Sequence, residues 1–478
     1  MKKGSIEYYK NTLILLLGKF CTQFISFLLL PVFTRYLISS DYGYVDLLQT
    51  YMSLFVPVLI LRIDSAVFRY LIDERNKKND ASETITNSLI ISFISTILVI
   101  GIYIILFKFV NIKYLELLCI NIIVIIFSSV MLQIARGFGN NIDYSISSII
   151  AGITNLMINL ILIIKFNADA SSIFVSSIIS NLACIIYLAY KLKIFRYFST
   201  KTINKQKLKR MLKYSLPMIP NALSWWIINI SDRSIISLIL GISFNGIYTV
   251  SCKISNILNN IFSIFNMSWT ETASLHINDK DKENFFSEMI NKIFILFSCI
   301  GLLIIAILPL LYNILIGREY LNSYEYIPIL VFAGNWNVLS WLLGGIYIAK
   351  KETKMVAKTT IYSAIINIIV HFLLIKHIRL YAACLSTLVS YLLLAVYRLY
   401  DVKKYVDIKL QFKKVLIVMF SYILMFIIYY SRKNVYITIG LIYSVTLSVV
   451  MNKIVIKELK KIIKNKVGSK NEKIKVMD

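Results

Sequence analysis

The sequence is short of acidic residues. It sets 25 aspartates and glutamates against 52 lysines and arginines, for a formal net charge of +27. In a soluble chain that surplus would point to nucleic acid. Only 16% of the residues are charged, however, and 58% are hydrophobic, more apolar surface than a soluble chain has interior to hide. Cysteine is scarce and scattered. Cys21, Cys119, Cys184, Cys252, Cys299 and Cys384 stand singly in apolar runs without any CxxC, a pattern of small buried residues that offers neither a disulfide framework nor a metal site. His276, His371 and His377 are too few and too dispersed to bind zinc. No HExxH, GxSxG or GxxxxGK(S/T) occurs and no connection is long enough for a catalytic domain, which argues against hydrolytic chemistry and direct use of ATP. The "RGFGNN" of Arg136–Asn141 reads as a short turn with structural glycines.

What is present is a succession of apolar windows near the ~20 residues that a helix needs to cross a bilayer. They fall at roughly 11–38, 44–71, 83–108, 114–137, 145–166 and 172–194, then 215–240, 243–270, 287–316, 326–349, 355–376 and 380–400, and finally 413–430 and 434–455. The first follows "MKKGSIEYYK", contains Lys19 and Arg35 and lacks a small-x-small cleavage site, so it is expected to be a retained span and not a signal peptide. The fold class is therefore an all-α polytopic membrane protein of about fourteen transmembrane helices. Lysine and arginine collect in alternate connections: Lys2, Lys3 and Lys10; Arg75, Lys77 and Lys78; Lys193 to Lys213; Lys350 to Lys358; Lys403 to Lys414; and Lys453 to Lys475. The opposite connections hold few, such as Lys113, Arg318, Arg379 and Arg432. By the positive-inside rule both termini are cytoplasmic. The surplus charge is then a topology signal and a contact for anionic lipid, and nucleic acid is not needed to explain it.

The halves resemble one another. Arg35 is followed by "YLISSDYGYVDLL", pivoting on Gly43, and Arg233 by "SIISLILGISFNGIYTVSCKI", pivoting on Gly246. A later pair places Asn155 and Asn159, and again Asn367 and His371, four residues apart before an aliphatic run. Each match is six spans from its partner, an even offset that makes the repeats parallel, as in transporters with a substrate site between two lobes. This divides the chain into an N-lobe (1–194), a basic cytoplasmic linker (195–214), a C-lobe (215–400), two C-terminal helices (401–455) and a basic tail (456–478).

Ionisable residues inside spans are the informative ones, because each costs on the order of 2.5–3.5 kcal/mol at the bilayer centre unless it faces protein or water. They are Lys19, Arg62, Asp64, Asp232, Arg233, Lys253, Lys292 and Arg398. Lys19, Lys292 and Arg398 can snorkel or pair locally. Arg62, Arg233 and Lys253 suggest a wet cavity that receives an anion. Arg62 lies eleven residues before Asp73, roughly 16 Å along a helix, and Arg69 is two turns further along the same face, a cationic stripe suited to a diphosphate. In "LPMIPNALSWWIINISDRSII", Trp225, Asn229 and Asp232 share one helical face with Arg233 beside it. That face either lines a cavity for sugars and phosphate or pairs Asp232 and Arg233 with neighbouring helices.

"TRYLISSDYGYVDL" (34–47), "DSAVFRY" (64–70), "YSLPMIPNALSWWIINISDRSII" (214–236) and "NGIYTVSCKI" (245–254), in this order, resemble the polysaccharide transporter family, the O-antigen and capsule repeat-unit flippases of the multidrug/oligosaccharidyl-lipid/polysaccharide superfamily. The resemblance runs from Lys10 to about Tyr400. It implies two six-helix lobes plus two C-terminal helices in a bacterial cytoplasmic membrane. It also implies a substrate of undecaprenyl-diphosphate carrying an oligosaccharide, with no enzymatic activity, and a polysaccharide polymerase and chain-length proteins as partners. Arg62, Arg69, Arg233 and Lys253 are the expected contacts of the anionic headgroup, and Trp225 and Asn229 those of the sugar. No cofactor is expected beyond a coupling proton or sodium ion, for which Asp64, Asp232 and His371 are candidates. A peptidoglycan-precursor flippase, a multidrug antiporter and, from another class, a membrane polymerase or ligase are the alternatives.

Overall fold

The computed structural model describes residues 21–75, 77–199, 202–453 and 457, and everything regular in them is helical. After helical residues 21–28 come α1 (Leu30–Tyr36), α2 (Ser39–Leu59), α3 (Ile63–Glu74), α4 (Lys78–Phe109), α5 (Leu115–Gly137), α6 (Asn141–Leu160) and α7 (Ser171–Lys191). A short α8 (Lys205–Ser215) precedes α9 (Ile219–Ile239), α10 (Ile242–His276), α11 (Lys282–Leu315), α12 (Ile327–Ala349), α13 (Thr353–Ile378) and α14 (Leu380–Asp401). The last two are α15 (Phe412–Ser431) and α16 (Asn434–Met451). Among the described residues ten helices are long and apolar enough to cross a membrane, or eleven when the bent pair α2–α3 counts as one span. The protein is thus a multi-pass membrane protein. Helices α9 and α10 match the expected windows but fall outside that apolar set, because polar side chains interrupt them. Prolines sit where a first turn has no N–H to lose: Pro31 opens α1, Pro220 opens α9 and Pro328 opens α12.

One expected helix is interrupted. The window at 44–71 is two helices, α2 and α3, bent by 52°. Leu61 and Arg62 both take left-handed backbone (φ 52°), and the Arg62 N–H donates to the Pro57 carbonyl (3.1 Å) instead of continuing the helix. Pro57, inside the last turn of α2, has no N–H for the ladder and weakens it just before the break. The continuous stripe expected from Arg62 to Arg69 is therefore not formed, since Arg62 lies at the cap before α3 and not within it.

The chain gathers into two compact units. The first takes the chain up to Val250 together with Leu315–Asn322 and Phe372–Leu380; the second takes Ser251–Ile314, Ser323–His371 and the chain from Tyr381 onward. In lipid, helices gain little from hydrophobicity alone, so close packing and hydrogen bonds hold such units together. In the first unit α2 and α10 meet at the two glycines that the repeat aligns. A Cβ on Gly43 would stand 2.6 Å from the Gly246 nitrogen, and one on Gly246 would stand 2.1 Å from the Ser39 carbonyl oxygen. Only glycine permits that approach. The Asn245 amide donates to the Gly43 carbonyl (2.8 Å) and closes the crossing. Within the stretch expected as a linker, α8 docks on α3 and α4. Asn204 caps it, and Lys207 pairs with Glu74 (2.9 Å) and Glu83 (3.7 Å).

In the second unit Trp269 is fully buried and donates to the Leu342 carbonyl (2.9 Å) above Gly345. Helix α15 is pinned there by Tyr422, which donates to the Ser298 carbonyl (3.1 Å), and by Tyr429, stacked on Tyr324 with centroids 4.0 Å apart. The repeat is also visible in hydrogen bonds. Asn159 donates to Ser176 of α7 (2.6 Å), and Asn367 donates to Ser386 of α14 (3.5 Å), so the same spans of each half are joined by the same pair of residue types.

Candidate functional site

The polar residues of the first unit's spans gather along a seam between α2 and α9. The two helices run antiparallel, with Gly43, Asp46 and Thr50 at i, i+3 and i+7 on α2. Trp226 donates to the Thr50 carbonyl (2.8 Å) and stacks on Tyr51. Two turns along α9, the Arg233 Nε donates to Asp46 (2.7 Å), with each side chain 13% exposed. The same carboxylate oxygen accepts from the Thr249 hydroxyl (2.7 Å). The adjacent Asp232 is buried and turns to a different helix, accepting from the Tyr248 hydroxyl (3.0 Å). The question posed by a carboxylate and a guanidinium side by side inside a span thus has an answer in the fold: each has a partner on another helix. Asp46 escaped the sequence reading although it lies inside one of the quoted motifs. Its alignment with Thr249 in the repeat, at the same spacing as Gly43 and Gly246, was the available signal.

At the break between α2 and α3, the Arg62 guanidinium donates to the Ser65 hydroxyl (2.8 Å) and lies 3.4 Å from Asp64. The grip is incomplete. The Arg62 Nε and the Asp64 Oδ1 are buried without a hydrogen-bond partner among the described residues. A buried polar atom left unpaired costs roughly 1–3 kcal/mol, so each calls for a further partner, such as water or a ligand. Arg69, by contrast, pairs with Asp73 (2.7 Å) on an open surface. Arg62, Arg69, Asp64, Asp232 and Arg233 all belong to the first unit, whereas Lys253 and His371 belong to the second. The side chains of Trp225 and Asn229, like Lys19, lie outside what the structure describes. His371 is fully buried one turn beyond Asn367. Lys292 pairs with Glu288 (2.7 Å). Arg398 is saturated by neutral oxygens: the Ser340 carbonyl (2.8 Å), the Thr359 and Thr360 hydroxyls (2.9 Å each) and the Val356 carbonyl (3.3 Å). Among the described residues no cluster of His, Cys, Asp and Glu could hold a metal ion.

Outside the spans, Lys113 bridges to Asp41 (3.1 Å) and lies over the Tyr114 ring, while the Tyr114 hydroxyl donates to Asp169 (2.6 Å). Partial burial alone would raise the Asp169 pKa. Hydrogen bonds from Ser171 and Tyr114 outweigh it and hold the carboxyl below its ordinary range.

Residues 8–270, more than half of the chain, match the family described as polysaccharide biosynthesis protein. The chain belongs to that family. No curated protein matches it significantly. Its fold is that of MOP-superfamily transporters. It is similar to a multidrug resistance MATE family transporter of that superfamily solved in an inward-facing conformation, with a TM-score of 0.66 at 14% identity over 80% of this chain and 95% of that one. A MOP transporter from Pyrococcus furiosus, whose description reports a binding pocket of reversed polarity, aligns at a TM-score of 0.59, 14% identity, and 81% and 94% coverage. A Vibrio cholerae MATE transporter mutant aligns at 0.57, 11% identity, and 83% and 96% coverage. At such identities the likeness establishes the fold; the family membership adds the link to polysaccharide biosynthesis.

Proposed function

We propose that this member of the family is a flippase. It carries undecaprenyl-diphosphate-linked oligosaccharide repeat units from the cytoplasmic to the outer leaflet of a bacterial cytoplasmic membrane by alternating access, for O-antigen, capsule or exopolysaccharide assembly. Both termini are cytoplasmic, and the polymerase and chain-length proteins act on what it delivers. The observation that carries the reading is Arg62. Its guanidinium stands at a break inside a broken span, held by Ser65 and Asp64, with its Nε unsatisfied. A phosphate oxygen supplies the missing acceptor, and a guanidinium fork suits a diphosphate better than a point charge does. Arg69, Arg233 and Lys253 are assigned to the same anionic headgroup, and Trp225 and Asn229 to the sugar. Asp64, Asp232 and His371 are the sites at which a proton or sodium ion would couple to the cycle.

The test is the fate of the lipid-linked sugar. Cells without the chain accumulate single repeat units in the cytoplasmic leaflet. Units that instead reach the outer leaflet and collect there unpolymerised would place the chain after translocation and defeat the reading. A second reading, multidrug export, draws on the multidrug transporters that share the fold and on the acids Asp64 and Asp232 within spans. Export of an organic cation such as ethidium from the complemented strain, with lipid-linked sugar unaffected, would favour it.

A further inference from the structure

Helix α10 is 35 residues long, yet it falls outside the set apolar enough to face lipid. The reason is a division of its surface. Leu258, Phe262, Trp269 and Ala273 are fully buried, and this face packs on aromatic rings of its own unit, with Phe262 against Phe297 and Trp341 and Trp269 against Phe286. On the flank beside it Asn256, Asn259, Asn260, Ser263, Asn266 and Thr270 recur at helical spacing on one face. They are exposed or half-buried. From Asn256 to Thr270 this face runs for about 21 Å at 1.5 Å per residue, much of the thickness of the hydrocarbon. Carboxamides at that depth are stable only against protein or water.

The face is also built from behind. Gly334 of α12 leaves room beside the Asn259 amide. The Asn337 amide donates to the Asn259 Oδ1 (3.3 Å), and the Asn259 amide donates in turn to the Asn256 Oδ1 (3.2 Å). The Ser340 hydroxyl donates to Asn337, and the Ser340 carbonyl accepts from buried Arg398. Each carboxamide of this relay is oriented by the one behind it, and the last, on Asn256, is exposed. The Asn266 Oδ1 is buried without a partner among the described residues. A row of fixed, neutral groups that both donate and accept suits vicinal hydroxyls. None of these groups carries a formal charge.

We infer that the carboxamide face of α10 binds the glycan of the transported lipid, recognising an uncharged, hydroxyl-rich oligosaccharide by hydrogen bonds, apart from the cations that take the phosphates. The inference rests on the flippase reading. The test uses the full-length protein in lipid nanodiscs and two probes: a short-chain polyprenyl diphosphate, and the same lipid bearing a neutral oligosaccharide. In Asn256→Leu/Asn260→Leu the Kd of the glycosylated probe rises 5- to 25-fold, about fivefold for each hydrogen bond removed, while the sugar-free probe binds as before. Weakening of both probes alike, or of neither, overturns the inference and leaves the flippase reading intact. Wild-type protein that binds neither probe overturns both. A variant that does not fold is replaced by Asn260→Cys, which a charged thiol reagent labels in membranes and the glycosylated probe alone protects. A cysteine that is unreactive there, or protected equally by the sugar-free lipid, counts against the glycan face.

Discussion

Arg62 and Arg398 each place a guanidinium within a span, one in each unit, and their surroundings differ in a way that separates scaffold from site. Arg398 is 3% exposed and each nitrogen of its fork donates to a carbonyl or hydroxyl oxygen. Arg62 is half-buried, tied to one hydroxyl and one carboxylate, with a nitrogen left over. A saturated guanidinium in a low-dielectric interior has no capacity for a ligand, however conspicuous its charge is in the sequence. An incompletely satisfied one still has a hydrogen to offer, to water or to a ligand.

The largest effect tests the saturated partner. Arg398→Leu leaves two threonine hydroxyls and the Ser340 carbonyl without their guanidinium donor, and the loss of stability is on the order of 3 kcal/mol or more. It is read as lost membrane abundance and a lowered Tm, and Arg398→Lys rescues little because one ammonium cannot span the fork's acceptors. Wild-type abundance from Arg398→Leu would erase the contrast. Next comes the ion pair of the α2–α9 seam. A double-mutant cycle with Asp46→Ala and Arg233→Ala should return a coupling of roughly 1–3 kcal/mol, because both side chains are largely withdrawn from solvent. A coupling near zero would show that the pair is decorative. Arg62→Ala costs less than the loss of Arg398, roughly 1–2 kcal/mol, since the nitrogen without a partner goes with it but the buried Asp64 carboxylate loses its cation. Its effect on function is total: surface polysaccharide is lost from a complemented null strain at normal abundance, and Arg62→Lys restores part of it. Full surface polysaccharide from Arg62→Ala would take the residue out of the transport path. The smallest effect belongs to Arg69→Ala. Its pair with Asp73 is exposed and is worth at most about 0.5 kcal/mol, so any fall in polysaccharide export beyond that reflects substrate contact and not folding.

Much of the fold was legible because lipid imposes one rule, that an apolar run of sufficient length is a helix. The repeat was legible for a related reason. Gly43 and Gly246 are needed where backbones touch, and an asparagine has few ways to be satisfied inside a membrane, so both leave a mark in the sequence. The break at Leu61 and Arg62 left almost none, because neither residue is glycine and only Pro57, four residues earlier, hinted at it. At the site, buried charges could be found by type, but their partners could not. Arg233 was visible, whereas Asp46 sat unremarked in a motif read for its glycine. The carboxamides of α10 were passed over because they carry no charge, although their 3.6-residue spacing was present throughout.

The contact between Gly43 and Gly246 has a mechanical meaning. Helices that interlock through side chains turn against each other only if ridges climb out of grooves. Here two bare backbones touch, and Asn245 donates to Gly43 and Thr249 to Asp46 across the crossing. Such a crossing works as a bearing. A swivel of α2 against α10 about it would break those two hydrogen bonds, each worth about 0.6 kcal/mol in a membrane interior.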